Sequence, residues 1–299
     1  EAEQMLKMHF EDILQSSEFN KIHILKLPTA IGKTRLLSTT TNATISLPTN
    51  NLKQEVTARM SVPNQMTPNT IKFNDERINK LIDYYYSMGL QQKAVAVLHN
   101  IVSGRFTYTV TSEDLCQAKE YLDQLEKCLM SEETVLTTHT RSIHSKFSHD
   151  TLIFDEDPIG SLVQINQVKI SDLFAIGLTL QKGRQDLTNV IKVLENANKG
   201  EIKSSPALLI DLDELVEKVA ESKWADSNIF GFFSSSFFVK DSFDPNLIHY
   251  VNKVDLPKDK KIVILSATVN PAIYKYLFGD KIDFFDVGDV EQKGKVIQY

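Results

Sequence analysis

A lysine followed by a threonine at the start of a helix can take hold of a nucleotide, and the segment LPTAIGKT, Leu27 to Thr34, ends in that pair. In such a turn backbone N–H groups wrap the phosphates, Lys33 neutralises their charge, and the Thr34 hydroxyl ligates Mg²⁺. The expected nucleotide contacts are Pro28, Thr29, Ala30, Ile31, Gly32, Lys33, Thr34 and Arg35. A standard phosphate loop wants glycine where Leu27 stands, and Ala30 occupies a further position where related loops carry glycine. If that position needs positive φ, alanine costs about 1 kcal/mol there. A second requirement of the same chemistry appears in LIFDEDP, Leu152 to Pro158. An aspartate at a strand end can hold the metal, commonly through water, and the adjacent glutamate can polarise the attacking water, which are the roles of Asp155 and Glu156. A third strand end, VILSAT from Val263 to Thr268, offers the hydroxyls of Ser266 and Thr268.

The elements that must position these residues are legible as an alternation. Ile22 to Leu27 is a short apolar run leading into the loop, and a helical pattern resumes at Arg35. Ala43 to Leu47 predicts a second strand and Leu52 to Met60 a second helix. Helical periodicity runs from Asp75 to Lys127, with Ile78, Leu81, Ile82 and Tyr85 sharing one face. Strand character returns at Thr134 to Thr137 and Thr151 to Phe154. Helices are expected over Ile170 to Ala197 and Leu212 to Ser222, and an aromatic segment, Ile229 to Val239, suggests a hairpin or wedge. Lys261 to Leu265, Ile282 to Val287 and Lys295 to Tyr299 complete the strands. Apolar strands alternating with helices predict an α/β fold with a mainly parallel central sheet and ligands at the carboxyl ends of its strands. The expectation is one such domain over 1–299, interrupted at about 61–131 by a helical insertion and at about 160–258 by a helical one containing the aromatic segment.

In the order GKT, DE, SAT, each after an apolar strand, the three motifs resemble motifs I, II and III of superfamily 2 helicases. SLPTNNL, Ser46 to Leu52, resembles motif Ia, and VLTTHTRSI, Val135 to Ile143, resembles the segment before motif II in the DEAH-like and DNA-repair branches. The resemblance implies a RecA-like nucleotide-binding domain that uses ATP and Mg²⁺. It further implies that Thr49, Asn50, His139 and Arg141 contact one strand of nucleic acid, DNA rather than RNA, and that Ser266 and Thr268 couple the nucleotide to that strand. An adenine-reading glutamine would be Gln4 or Gln15. The acidic box departs from the family in reading D-E-D-P, because Pro158 cannot make the contact to motif III that the family's fourth residue makes. Chain start at Glu1 suggests excision from something longer, and the second RecA-like domain, which in the family supplies a charge-stabilising arginine, is expected to be absent. The isolated chain is then expected to be nearly inactive.

Composition limits the rivals. The net charge of −6 provides no overall basic field for coating a duplex. No run approaches the roughly 18 apolar residues that a membrane span needs, and the acidic start is unlike a secretory signal, so a cytoplasmic or nuclear setting is expected. Two cysteines, Cys116 and Cys128, are too few for a disulfide framework or an iron–sulfur site, and buried thiols are the default. A GTPase would read Asp157-Pro-Ile-Gly160 and Asn252-Lys-Val-Asp255 as its guanine-nucleotide motifs. Only about half of the roughly 25 to 30 residues of a strand–helix unit separate Asn252 from Ser266, which disfavours it. His139, His144 and His149 are closely spaced, but zinc wants three or four convergent ligands, so strand-contacting or surface histidines are the expectation. A non-hydrolysing module on the same fold, binding nucleic acid or protein, stays open as the alternative function.

Overall fold

The structure is a computed structural model that describes residues 2–28, 31–87, 90–106, 109–179, 184–206 and 229–288. The helix expected over Leu212 to Ser222 and the strand expected over Lys295 to Tyr299 lie outside the described residues, as do Thr29 and Ala30 of the loop.

The described chain forms two compact units. The first comprises Glu1–Asn69, Gln124–Ile159 and Leu256–Tyr299. Its described helices are α1 (Ala2–Gln15), α2 (Lys33–Ser38), α3 (Asn50–Arg59), the end of α6 (Ser112–Leu129), α7 (His139–His144) and α12 (Pro271–Phe278). Its strands are β1 (Ile22–Lys26), β2 (Thr44–Leu47), β3 (Asn64–Met66), β4 (Thr134–Thr138), β5 (Thr151–Asp155), β10 (Lys261–Ser266) and β11 (Ile282–Asp286). They make one sheet in the order β11-β1-β10-β5-β2-β4-β3, and every pairing in it is parallel. This is the expected α/β arrangement with a parallel central sheet. The central strands are largely buried because helices cover both faces of a parallel sheet: Ile24, Leu25, Ile45, Ile153, Ile264 and Leu265 have no exposed surface. Leu6, Phe10 and Ile13 of α1 join the same core as Leu25, Leu37, Ile45 and Val263. Each such side chain contributes about 1.5 to 3 kcal/mol on burial.

Local chemistry sets the element ends. Thr49 caps α3 by accepting the Leu52 N–H at 3.2 Å, and Asn270 caps α12 by accepting from Ala272 N at 3.0 Å, with Pro271 in its first turn. The Lys261 ammonium donates to Leu14 O at 2.8 Å and Ser16 O at 2.5 Å, meeting the last carbonyls of α1 where a cation is favoured.

The second unit comprises Thr70–Asp123 and Gly160–Asp255. It holds α4 (Glu76–Ser87), α5 (Gln91–Val102), most of α6, α8 (Ile159–Leu162), α9 (Ile170–Gly177), α10 (Arg184–Glu195) and α11 (Ile229–Phe233). It also holds a four-stranded antiparallel sheet in the order β6-β9-β8-β7, made of β6 (Val163–Lys169), β7 (Ile202–Ser204), β8 (Phe237–Lys240) and β9 (Leu247–Lys253). This corrects the expectation of a largely helical second insertion. The strands alternate: Val168, Phe238, Ile248 and Tyr250 point inward, while Ile165 and Ile202 are 73% and 72% exposed. The aromatic segment divides, its first part forming α11 and its last part β8. Glycine is required at position 231, since a Cβ there would lie 2.5 Å from the Tyr250 hydroxyl. β3 is also a correction, because three polar-flanked residues inside the expected first insertion pair with β4 at the edge of the main sheet.

Asn252, one of the GTPase-like residues, is buried within β9 and donates through Nδ2 to Gly231 O at 3.1 Å, so its amide nitrogen is engaged inside the fold. Among the described residues no helix is long and apolar enough to cross a membrane. Cys128 is buried, but Cys116 is exposed, contrary to the expectation for both thiols, because it lies on the solvent face of α6.

Candidate nucleotide site

The sheet order places β10 between β1 and β5, and the register pairs Lys26 with Ser266 and Leu265 with Asp155. The three strands therefore end within one residue of each other on one edge. Each then leads into one of the motif segments: the one that reaches Gly32 and Lys33 after β1, Asp155-Glu156 at the end of β5 and Ser266-Ala267-Thr268 at the end of β10.

Gly32 sits in the left-handed region at φ 95°, immediately before α2. A side chain there would be strained, and its Cβ would come within 3.3 Å of Glu3 Oε1. That turn delivers Lys33, whose ammonium forms an ion pair with Glu156 Oε1 and stands 3.5 Å from Asp155 Oδ1. Ser266 donates through Oγ to Glu156 Oε2 at 3.3 Å and accepts the Thr268 N–H at 3.2 Å. Motifs I, II and III of the sequence reading thus meet in one cluster. Thr34 follows in the first turn of α2, half-buried, and Arg35 is exposed with Nη1 3.5 Å from Glu3 Oε1. Ile31 is buried.

Glu156 is held in an unusual backbone state, with φ 74° on a residue that has a Cβ. Such a conformation costs about 1 to 2 kcal/mol and persists only where surrounding contacts fix it. Three contacts do so: Glu156 N donates to Leu265 O at 2.9 Å, His139 Nε2 donates to Asp155 O at 3.0 Å, and Asp157 Oδ1 accepts from Ile159 N at 3.0 Å. The last of these is an Asx-type turn that takes the chain away from β5.

Asp155 is 7% exposed, and its Oδ1 is buried without a hydrogen bond. Burial pushes its carboxyl above the usual carboxylate range, with Lys33 opposing and Glu156 adding to the shift. A buried carboxylate oxygen lacking a donor, beside a second carboxylate and a lysine, fits a divalent cation that shares its shell with phosphate oxygens and water. A group of three or more protein ligands is not required for that, and none of His, Cys, Asp and Glu forms one among the described residues.

A cavity of about 410 Å³ opens beside the loop, lined by Gln4, Leu6, Lys7, Gly32, Arg35 and Leu36 among others. Its volume is in the range of small-molecule sites. Gln4 lines it, whereas Gln15 lies exposed at the far end of α1 and does not.

Other expected residues fall elsewhere. His139 is 5% exposed and packs edge-on against Phe154 with ring centroids 5.4 Å apart, so it is a fold-holding group and not a surface for a strand. Burial lowers its pKa, and its ring N–H is committed to the Asp155 carbonyl. His149 is likewise inside, sharing a hydrogen bond with Thr44 Oγ1 at 3.0 Å. Thr49 and Asn50 are exposed at the start of α3, and Arg141 is half-buried in α7. The acidic box also makes a contact that sequence reading missed: the Tyr274 hydroxyl on α12 donates to Asp157 Oδ1 at 2.5 Å. Nothing local in either segment signals a partner so far along the chain.

No family model and no curated protein matches this chain. The solved structures that resemble it include the following two. A truncated XPD aligns over 96% of this chain and 99% of its own, at 12% identity and a TM-score of 0.47. Xpd4 from S. tokodaii aligns over 98% of this chain at 9% identity and a TM-score of 0.45, and this chain spans 61% of its length.

Proposed function

We propose that this chain is the ATP–Mg²⁺-binding motor domain of a nucleic-acid-dependent ATPase of the superfamily 2 helicase kind. One observation carries the reading: Lys33, Asp155, Glu156 and Ser266, from three separate sequence motifs, converge at the carboxyl ends of β1, β5 and β10. In this assignment the Lys33 ammonium binds the β- and γ-phosphates, Thr34 and Asp155 hold Mg²⁺, and Glu156 polarises the attacking water. The ion pair between Lys33 and Glu156 is then the resting arrangement, which incoming phosphate would replace by offering the lysine a more highly charged partner.

Thr49, Asn50 and Arg141 are assigned to one strand of nucleic acid, DNA in preference to RNA, with Ser266 and Thr268 linking that strand to the nucleotide. The start of α3 supports the first two assignments, because Thr49 and Asn50 are exposed there and the N-terminal end of a helix suits a phosphate. Lys33 is the cation paired with both acidic residues of the cluster, and stabilising a transferring phosphoryl group takes more positive charge than one ammonium supplies. Turnover by the chain alone is therefore expected to be slow.

The base-reading half of the proposal assigns adenine to the cavity lined by Gln4, whose amide can donate to and accept from the edge of that base. Competition of unlabelled ATP and GTP against a fluorescent ATP analogue tests it. ATP is expected to compete about tenfold better than GTP, with Gln4→Ala narrowing the gap to about threefold or less. A preference for GTP in the unaltered chain would overturn the ATP assignment.

A further inference from the structure

Tyr274 is a phenol buried to 1% exposure in α12, a helix whose neighbouring positions Ile273 and Tyr276 are 45% and 90% exposed. Its hydroxyl reaches out of the helix to Asp157, the residue after Glu156, at 2.5 Å. The same carboxylate oxygen accepts the Ile159 N–H, so Asp157 is the point where the turn after β5 is tied both to its own backbone and to α12. Upstream, α12 follows Ser266 and Thr268 directly, and Ser266 donates to the other oxygen of Glu156. Glu156 is therefore gripped from two sides by one continuous segment, Ser266 through its side chain and Tyr274 through the adjoining aspartate. The Glu156 backbone is in the left-handed region, a state that persists because the contacts of the turn, Asp157 among them, hold it. The ring of Tyr274 also stacks on Phe278 at 6.0 Å with planes 27° apart, which ties the hydroxyl's position to the last turn of the helix.

We propose that Tyr274, acting through Asp157, is a positioning residue that links the acidic pair to α12, so that filling the nucleotide site is registered along the exposed face of that helix. The link rests on the ATP reading above and adds to it an output surface, Ile273, Lys275 and Tyr276, that would change with the nucleotide state. When Lys33 leaves Glu156 for phosphate, the glutamate loses its cation and its remaining holds are Ser266 and the turn pinned by Asp157. Both lead into α12.

Hydrogen exchange of the α12 amides, with and without ATP–Mg²⁺, tests this in the unaltered chain and in Tyr274→Phe, Asp157→Ala and Asp157→Asn, with nucleotide affinity measured alongside. In the unaltered chain nucleotide is expected to change the α12 exchange rates by about threefold or more. Tyr274→Phe and Asp157→Ala should bind ATP within about threefold of the unaltered chain yet lose that nucleotide-dependent difference, and Asp157→Asn, which keeps an oxygen for the phenol, should retain it. A merely structural role would instead speed exchange equally with and without nucleotide and leave the difference in place, which overturns the link. So would ATP binding to the unaltered chain with no effect on α12. Should Tyr274→Phe fail to fold, the contrast between the two Asp157 variants decides in the same way. Failure of the unaltered chain to bind ATP would overturn the nucleotide reading itself, a result distinct from binding without a response.

Discussion

Lys33→Ala is expected to weaken ATP binding by about 10- to 100-fold, on the order of 1.4 to 2.8 kcal/mol, the size of a charge-assisted contact to a phosphate. Equilibrium titration with a fluorescent ATP analogue measures it directly. The effect is large because the ammonium is the cation that both Asp155 and Glu156 face, and half of that pair is buried. Without Lys33 two carboxylates would stand together uncompensated, and the incoming phosphates would meet net negative charge. Lys33→Arg should not restore full affinity, since a planar fork cannot occupy the place of a compact ammonium beside two carboxylates. Retention of affinity in Lys33→Ala within about twofold would remove the phosphate-binding role.

A second large effect is expected far from the nucleotide. Lys53 of α3 is 1% exposed, and its ammonium donates to Thr67 O at 2.7 Å. Burial first, and Arg141 second, lower its pKa to about 8. The unfolded chain keeps the ordinary value near 10.5, so between the two pKa values the unfolded state binds more protons than the folded one. Stability contributed by this site therefore rises with pH across that window, and below about pH 8 the fold carries the full cost of a buried charge. The shift corresponds to about 3 kcal/mol. Comparison with Lys53→Met cancels the titration of other groups. In urea unfolding, the stability of the unaltered chain relative to the Met variant is expected to rise by about 2 to 3 kcal/mol from about pH 7.5 to about pH 10. A pH-independent difference would mean that the amine is solvated in the folded state.

The convergence of Lys33, Asp155, Glu156 and Ser266 was legible because each of their motifs follows an apolar run. Ile22 to Leu27, Leu152 to Phe154 and Val263 to Leu265 read as buried strands, and a parallel sheet aligns the ends of such strands without further information. The strand order that puts β10 between β1 and β5 was not legible, because it is fixed by how helices pack and not by any local pattern. β6 and β9 were hidden for a different reason. VQINQVK and LIHYVNK do not alternate cleanly between apolar and polar residues, although burial alternates along the folded β9, and Asn252-Lys253 invited a nucleotide-motif reading of what is a strand end. His139 shows the limit of motif reading most clearly. Its place after β4 suggested a strand contact, yet the ring is buried beside Phe154 and committed to the Asp155 carbonyl. Tyr274 is the converse, a residue with nothing in its local sequence to single it out that becomes chemically connected only when α12 folds back beside the acidic box.

The central claim is that Lys33, Asp155 and Glu156 form one phosphate- and metal-binding site, and the dependence of ATP affinity on magnesium tests it most directly. Titrations of the unaltered chain and of Asp155→Asn, each in Mg²⁺ and in chelator, should show magnesium strengthening ATP binding about tenfold or more in the first and about twofold or less in the second. Equal affinity with and without the metal in the unaltered chain, or an undiminished magnesium effect in Asp155→Asn, would contradict it.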